Sequence, residues 1–131
     1  MNRKLVISLA ALTAAGALVV GAQQTGFVRT PLSDSEMSVA GRHGVMARVE
    51  IDAGVSSGRH THPGEEFGYV LEGSFEVTID GKAPVKLAPG SVFFIPANTI
   101  HEGKNVGKTK ARVVSTYVVE SGKPLATPVT K

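Results

Sequence analysis

The feature that most limits what this chain can fold into is a rhythm. From residue 27 onward it runs in short stretches of period two, each cut by Gly or Pro. No window of ten or more residues there carries a convincing helical apolar face. "VMARVEID" sets Val45, Ala47, Val49 and Ile51 against Met46, Arg48, Glu50 and Asp52, the pattern of a half-buried strand. "EFGYVLEG" and "SFEVTID" follow, and the second alternates Phe75, Val77 and Ile79 with Glu76, Thr78 and Asp80. "DGK" at 80–82 predicts a tight hairpin of type I′, because Asp-Gly tolerates positive φ. "PVKL" resumes extension, "APGS" at 88–91 turns again, and "VFFIP" is a short apolar strand stopped by Pro96. "ARVVSTYVVE" (111–120) is the last strong strand, rich in β-branched residues, and "SGKPLATPVTK" reads as a loose tail. Strands at this spacing predict one all-β domain, a sandwich or a barrel. Periodicity leaves open a jelly roll, an immunoglobulin-like sandwich and an up-and-down barrel.

Residues 1–22 do not belong to that rhythm. "MNRK" is a basic start, "LVISLAALTAAGALVV" an apolar run, and Val20, Gly21 and Ala22 are small residues suited to cleavage after Ala22. These are the three parts of a secretory signal peptide, so the chain is expected to be exported, to a periplasm or beyond the cell. The alternative is an uncleaved anchor, since residues 5–22 approach spanning length. With no Cys in the chain, lipidation, disulfides and thiolate chemistry are excluded, and stability must come from packing. Cleavage would remove Arg3 and Lys4 and leave 12 basic residues against 11 acidic ones, a net charge near +1. The basic residues are scattered without aromatic interleaving, which argues against a nucleic-acid partner. No stable membrane association is expected after cleavage.

The chemistry concentrates in "GRHTHPGEEFGYVLEG" (58–73). On a strand, His60 and His62 project to one face and present two imidazoles to one point. Glu66 continues that parity beyond Pro63-Gly64 and could complete a two-His-one-carboxylate face. The plainer reading is a solvated loop. With Glu66 inward, Glu65 is left on the outward side or at the rim. His43, in "AGRHGV", reads as a surface residue; it and Glu65 are the only loose candidates for an acid/base group. Phe67 and Tyr69 share the parity opposite to Glu66. Phe93, Phe94 and Tyr117 read as core bulk first and pocket wall second. Arg48 and Glu50 sit on an exposed-looking face that could instead line a polar pocket.

The wider spacing resembles the cupin superfamily. Gly54, five residues, His60, one, His62, three, Glu66, six, Gly73 is similar to its first motif in every fixed position. Gly90, five residues, Pro96, one, Asn98, two, His101, three, Asn105 resembles the second, except that Asn98 stands where the family usually has Gly. Asn adopts positive φ more readily than other non-Gly residues, so the turn can survive. The resemblance implies an all-β, single-domain jelly-roll β-barrel over residues 45–120. An N-terminal segment with a first strand (23–44) precedes it and a tail (121–131) follows. It further implies that His60, His62, Glu66 and His101 hold one divalent transition metal ion: Fe, Mn, Ni, Cu or Zn. The expected function is a metal-dependent enzyme, dioxygenase-like or isomerase-like, acting on a small organic molecule. The alternative is a non-catalytic cupin that binds metal or a small ligand. A homodimer is expected, paired through the strand "ARVVSTYVVE" or the segment "FVRTPL".

Overall fold

The computed structural model describes residues 24–130. The expected signal peptide lies outside these residues. Ten strands and no helix make up the described chain: β1 (Phe27–Glu36), β2 (Arg42–Ile51), β3 (His60–Thr61), β4 (Gly64–Glu72), β5 (Phe75–Ile79), β6 (Val85–Leu87), β7 (Val92–Ile95), β8 (His101–Asn105), β9 (Ala111–Glu120) and β10 (Thr127–Pro128). They form two five-stranded sheets, ordered β1-β2-β9-β4-β7 and β10-β3-β8-β5-β6, with every neighbouring pair antiparallel. Consecutive strands such as β3, β4 and β5 switch between sheets, as in a jelly roll.

Alternation decides what faces inward. On β9 the residues Ala111, Val113, Ser115, Tyr117 and Val119 are buried in strict period two. The matching row on β2 is Val45, Ala47, Val49 and Ile51, and the register pairs Val45 with Tyr117 and Val49 with Val113. Two apolar clusters result. The larger holds Phe27, Val49, Ile51, Val70, Phe75, Val77, Ile95 and Val113; the smaller holds Val45, Ala47, Tyr117 and Val119, closed by Leu125. The buried polar residues His60, His62, Glu66, His101 and Ser115 also face the interior.

Several expectations are corrected. The turn after β5 is not type I′, because Gly81 is at positive φ while Asp80 is not. Lys82 N donates to the Ile79 carbonyl, and Ala83-Pro84 lengthen the loop before β6 resumes pairing. The tail is not loose: Thr127 and Pro128 pair with Thr61 and His60, and Val129 N donates to Arg59 O. β9 offers no edge for a partner, since β2 and β4 pair along both its sides. β1, which contains "FVRTPL", is an edge strand. Phe94 is not core: it stacks on Phe67 on the outer face, ring centres 5.0 Å apart, both about half exposed. Arg48 and Glu50 also stay outside, Glu50 bridging Arg48 and Arg112.

Candidate metal centre

Two histidines reach the interior from one short stretch of chain and a third from a distant strand. His60 on β3 is the direct cross-strand partner of His101 on β8, and His62 follows β3 by one residue. The opposite sheet brings Glu66, paired on β4 between Ile95 and Tyr117. All four are buried. The three imidazoles each offer a nitrogen, and these atoms lie within 4.8 Å of one another. Glu66 Oε2 is 3.1 Å from His62 Nε2 and 3.2 Å from His101 Nε2.

The backbone sets the tautomers. His60 Nδ1 lies 2.8 Å from Gly58 O, His101 Nδ1 2.8 Å from Thr99 O, and His62 Nδ1 2.5 Å from Leu125 O. A carbonyl only accepts, so each Nδ1 carries the hydrogen and each Nε2 is left as a lone pair. Those lone pairs converge, with His60 Nε2 and His62 Nε2 3.2 Å apart. His101 Nε2 is buried and makes no aligned hydrogen bond despite the nearby carboxylate. Three lone pairs and a carboxylate facing one point repel one another unless a cation lies between them. The donor set therefore fits a metal ion, and the carbonyls behind the rings are the outer partners such ligands need.

Burial pushes the His60 ring down to about 3, and its neighbour His62 lowers it further within that value, so it is neutral and able to donate its lone pair. Burial alone would raise the Glu66 carboxyl; without a metal ion, a proton on the His101 or His62 Nε2 facing it, together with the Ser115 hydroxyl, outweighs burial and holds Glu66 below the usual carboxylate range. Turn chemistry fixes the approach of these strands. Asn98 has φ of 56°, as its exchange for Gly requires, and its N–H donates to the His62 carbonyl. The same turn presents Thr99 O to His101.

Residues 47–117, which contain all four of these side chains, match the family model described as the cupin domain. The chain belongs to the cupin family. Polyketide synthase CurC of Streptomyces cyaneus is 36% identical to this cupin over 91 residues, 68% of this chain and 56% of that protein. Germin-like protein subfamily 2 member 2 of Arabidopsis thaliana is 39% identical over 77 residues, 55% of this chain and 35% of that one. An oxalate oxidase solved in complex with the substrate analogue glycolate is similar in structure, with TM-score 0.66 and 26% identity, over 89% of this chain and 66% of that one. This cupin thus spans only about half or less of the length of those curated relatives.

A cavity of about 30 Å³ adjoins the imidazoles, lined by His60, Glu66 and His101 together with Arg29, Ser115 and Tyr117 and an apolar wall that includes Phe27, Phe75 and Phe93. That is room for about two waters. Neither loose acid/base candidate lines it. His43 Nδ1 pairs with Asp34 at 2.8 Å across the β1–β2 edge, and Glu65 sits on the other side of β4 from Glu66. The residues that sequence reasoning passed over are Arg29 and Ser115, and Tyr117 is a cavity wall as well as core. A usable signal existed for Arg29: in "FVR" it shares the inward parity of Phe27.

Proposed function

We propose that this cupin holds one divalent transition metal ion through His60, His62, His101 and Glu66 and acts on a small organic molecule in the adjoining cavity. The observation that carries the reading is the convergence of three Nε2 lone pairs, each fixed by a carbonyl behind its ring. When bound, such an ion supplies Lewis acidity or redox chemistry of the kind used by dioxygenases and isomerases. The chain's own residues supply the surroundings. Phe27, Phe75 and Phe93 narrow the cavity and limit water. Burial, chiefly, together with the nearby Glu66 charge, holds the Tyr117 hydroxyl protonated far above neutrality, where it can donate a hydrogen bond to a ligand. Similarity to an oxalate oxidase supports an enzyme over a store.

Elemental analysis of the purified protein tests the metal. One equivalent of a transition metal is expected, reduced to a small fraction in His101→Ala. Folded protein that binds no divalent ion would defeat the reading. Oxygen uptake by iron- and manganese-loaded protein over a panel of phenols, diketones and flavonol-like compounds tests the oxygenase version, and silence across the panel would remove it. The second reading, a non-catalytic binding cupin, is favoured by the placement of His43 and Glu65, neither of which lines the cavity. Export belongs to the same proposal. A mature species lacking residues 1–22 in the periplasmic or secreted fraction is expected, and retention of full mass in a membrane fraction would reject it.

A further inference from the structure

The carbonyls that orient the three imidazoles are not equally secure. Those behind His60 and His101 belong to Gly58 and Thr99, each two residues from the ligand on its own stretch of chain. The one behind His62 belongs to Leu125, 63 residues on, in the segment that follows β9. His62 is 2% exposed and, unlike His60, Glu66 and His101, does not line the cavity. The Tyr117 ring, its centre 4.7 Å away, and the Leu125 carbonyl meet it instead.

The segment that carries Leu125 is held lightly. Gly122, at φ of 78°, turns the chain after β9, and Leu125 packs partly buried on the smaller apolar cluster. Thr127 and Pro128 then pair with Thr61 and His60, both of them exposed and on the edge strand of their sheet. Val129 N–H donates to Arg59 O at 2.9 Å. β9, by comparison, is paired along both its sides. Local opening begins at short, exposed, one-sided elements of this kind.

Opening would weaken two ligands at once. His62 would lose the acceptor that keeps its hydrogen on Nδ1 and its lone pair on Nε2. β3, which carries His60, would lose two register pairs to β10 and keep only the one between His60 and His101. The rest of the fold would stay closed, because Asn98 N–H still donates to His62 O and Glu120 N–H to Pro63 O. His101 and Glu66 would stay fixed on β8 and β4.

We propose that residues 121–130 form a strap over the His62 side of the centre, and that metal enters and leaves while the strap is open. The proposal rests on the metal reading above and adds to it a route of exchange. By reciprocity, an ion that binds the closed form more tightly holds the strap shut.

The chain has no Cys, so a pair can be placed where Thr61 faces Thr127. Opposed residues of antiparallel strands stand about 4.5–5.5 Å apart at Cα, within the span of a disulfide. The full chain carrying Thr61→Cys and Thr127→Cys is loaded with zinc, and its zinc content is measured. Release into excess chelator is then timed with the bridge formed and with it reduced. The bridged form is expected to release zinc about tenfold or more slowly than the reduced form. Rates equal to within about twofold, from equal starting zinc, would overturn the strap and leave the metal reading intact. A chain that takes up no zinc removes that reading and this proposal together. Should the bridge not form, amide exchange on the unsubstituted chain decides. Zinc should slow exchange at Val129 by about tenfold or more, and equal exchange with and without zinc would overturn the proposal.

Discussion

Asn105 and His101 lie on the same strand and face the same interior, yet their polar atoms are treated in opposite ways. Asn105 Nδ2 donates to Ile51 O at 2.9 Å and Thr109 O at 2.7 Å, and its Oδ1 accepts from Gly107 N at 2.9 Å. Every polar group it has is satisfied, and it ties the loop after β8 to β2. Asn105→Ala should cost about 3 kcal/mol, because two carbonyls and one N–H lose buried partners, and a shifted urea midpoint would measure this. A change within the error of the midpoint would show that water replaces the side chain. His101 Nε2, by contrast, is buried without an aligned donor. At this scale the shared face of His60, His62 and Glu66 was legible from strand parity, whereas His101 was reached only through the resemblance of "GSVFFIPANTIHEGKN" to the second cupin motif. Ser115 was not legible, because it sits on an inward-facing row that reads as apolar packing and has no marker of its own, and Arg29 was passed over although its parity with Phe27 points it inward.

At the scale of elements, β4 depends on what it lacks. Gly64 and Gly68 flank Glu66 on its inward row. A Cβ on Gly64 would stand 1.9 Å from Val118 O, and one on Gly68 would enter the Phe93 ring. The strand therefore lies closer to β9 than any side chain would permit, and this sets the depth at which Glu66 enters. Gly64→Ala should destabilise the fold by about 3 kcal/mol, because the obstacle is backbone and cannot move aside. Thermal unfolding checks this, and an unchanged midpoint would mean the two strands part at no cost. The tail is the second such element. Chain ended after Lys123 loses β10 and the Leu125 carbonyl, and its metal affinity should fall by about 10- to 100-fold while β-sheet content is retained. Competition with a chelator measures it. The strands themselves were legible from alternation. The tail and the "DGK" turn were not, because a two-residue bridge has no period and Pro84 lengthens a loop that Asp-Gly alone would close.

For the whole molecule, the polar site lies in the interior, beside the two apolar clusters. Metal-free protein should consequently be acid-labile from an unusually high pH. His60 takes a proton below about 6.5 when unfolded but only near 3 when folded, so the unfolded chain binds more protons between those values. Stability is then full above about 6.5 and falls as the pH drops, by at most about 1.4 kcal/mol per pH unit for that proton. Glu66, lowered in the fold, adds to the loss below its ordinary 4.5. Thermal melts of chelator-treated protein should show the onset, and His60→Gln should abolish it. A flat profile from pH 7 to 5 in the parent would contradict the neutral His60. Pairing of copies, if it occurs, has the β1 edge and the outer face around Phe67, Tyr69, Val92 and Phe94 to use. We propose a homodimer, and a sedimentation mass of one chain would reject it.

His62 Nδ1–H donates its orienting hydrogen bond to a carbonyl 63 residues further along the chain. A ribosome makes His60, His62, Glu66 and His101 well before it makes Leu125. Until that residue emerges, the His62 ring is free to turn and to exchange tautomers. The site is thus completed only after Leu125 has been made, well after His60, His62, Glu66 and His101, which favours loading of the folded site over capture of a metal by those four residues as they emerge.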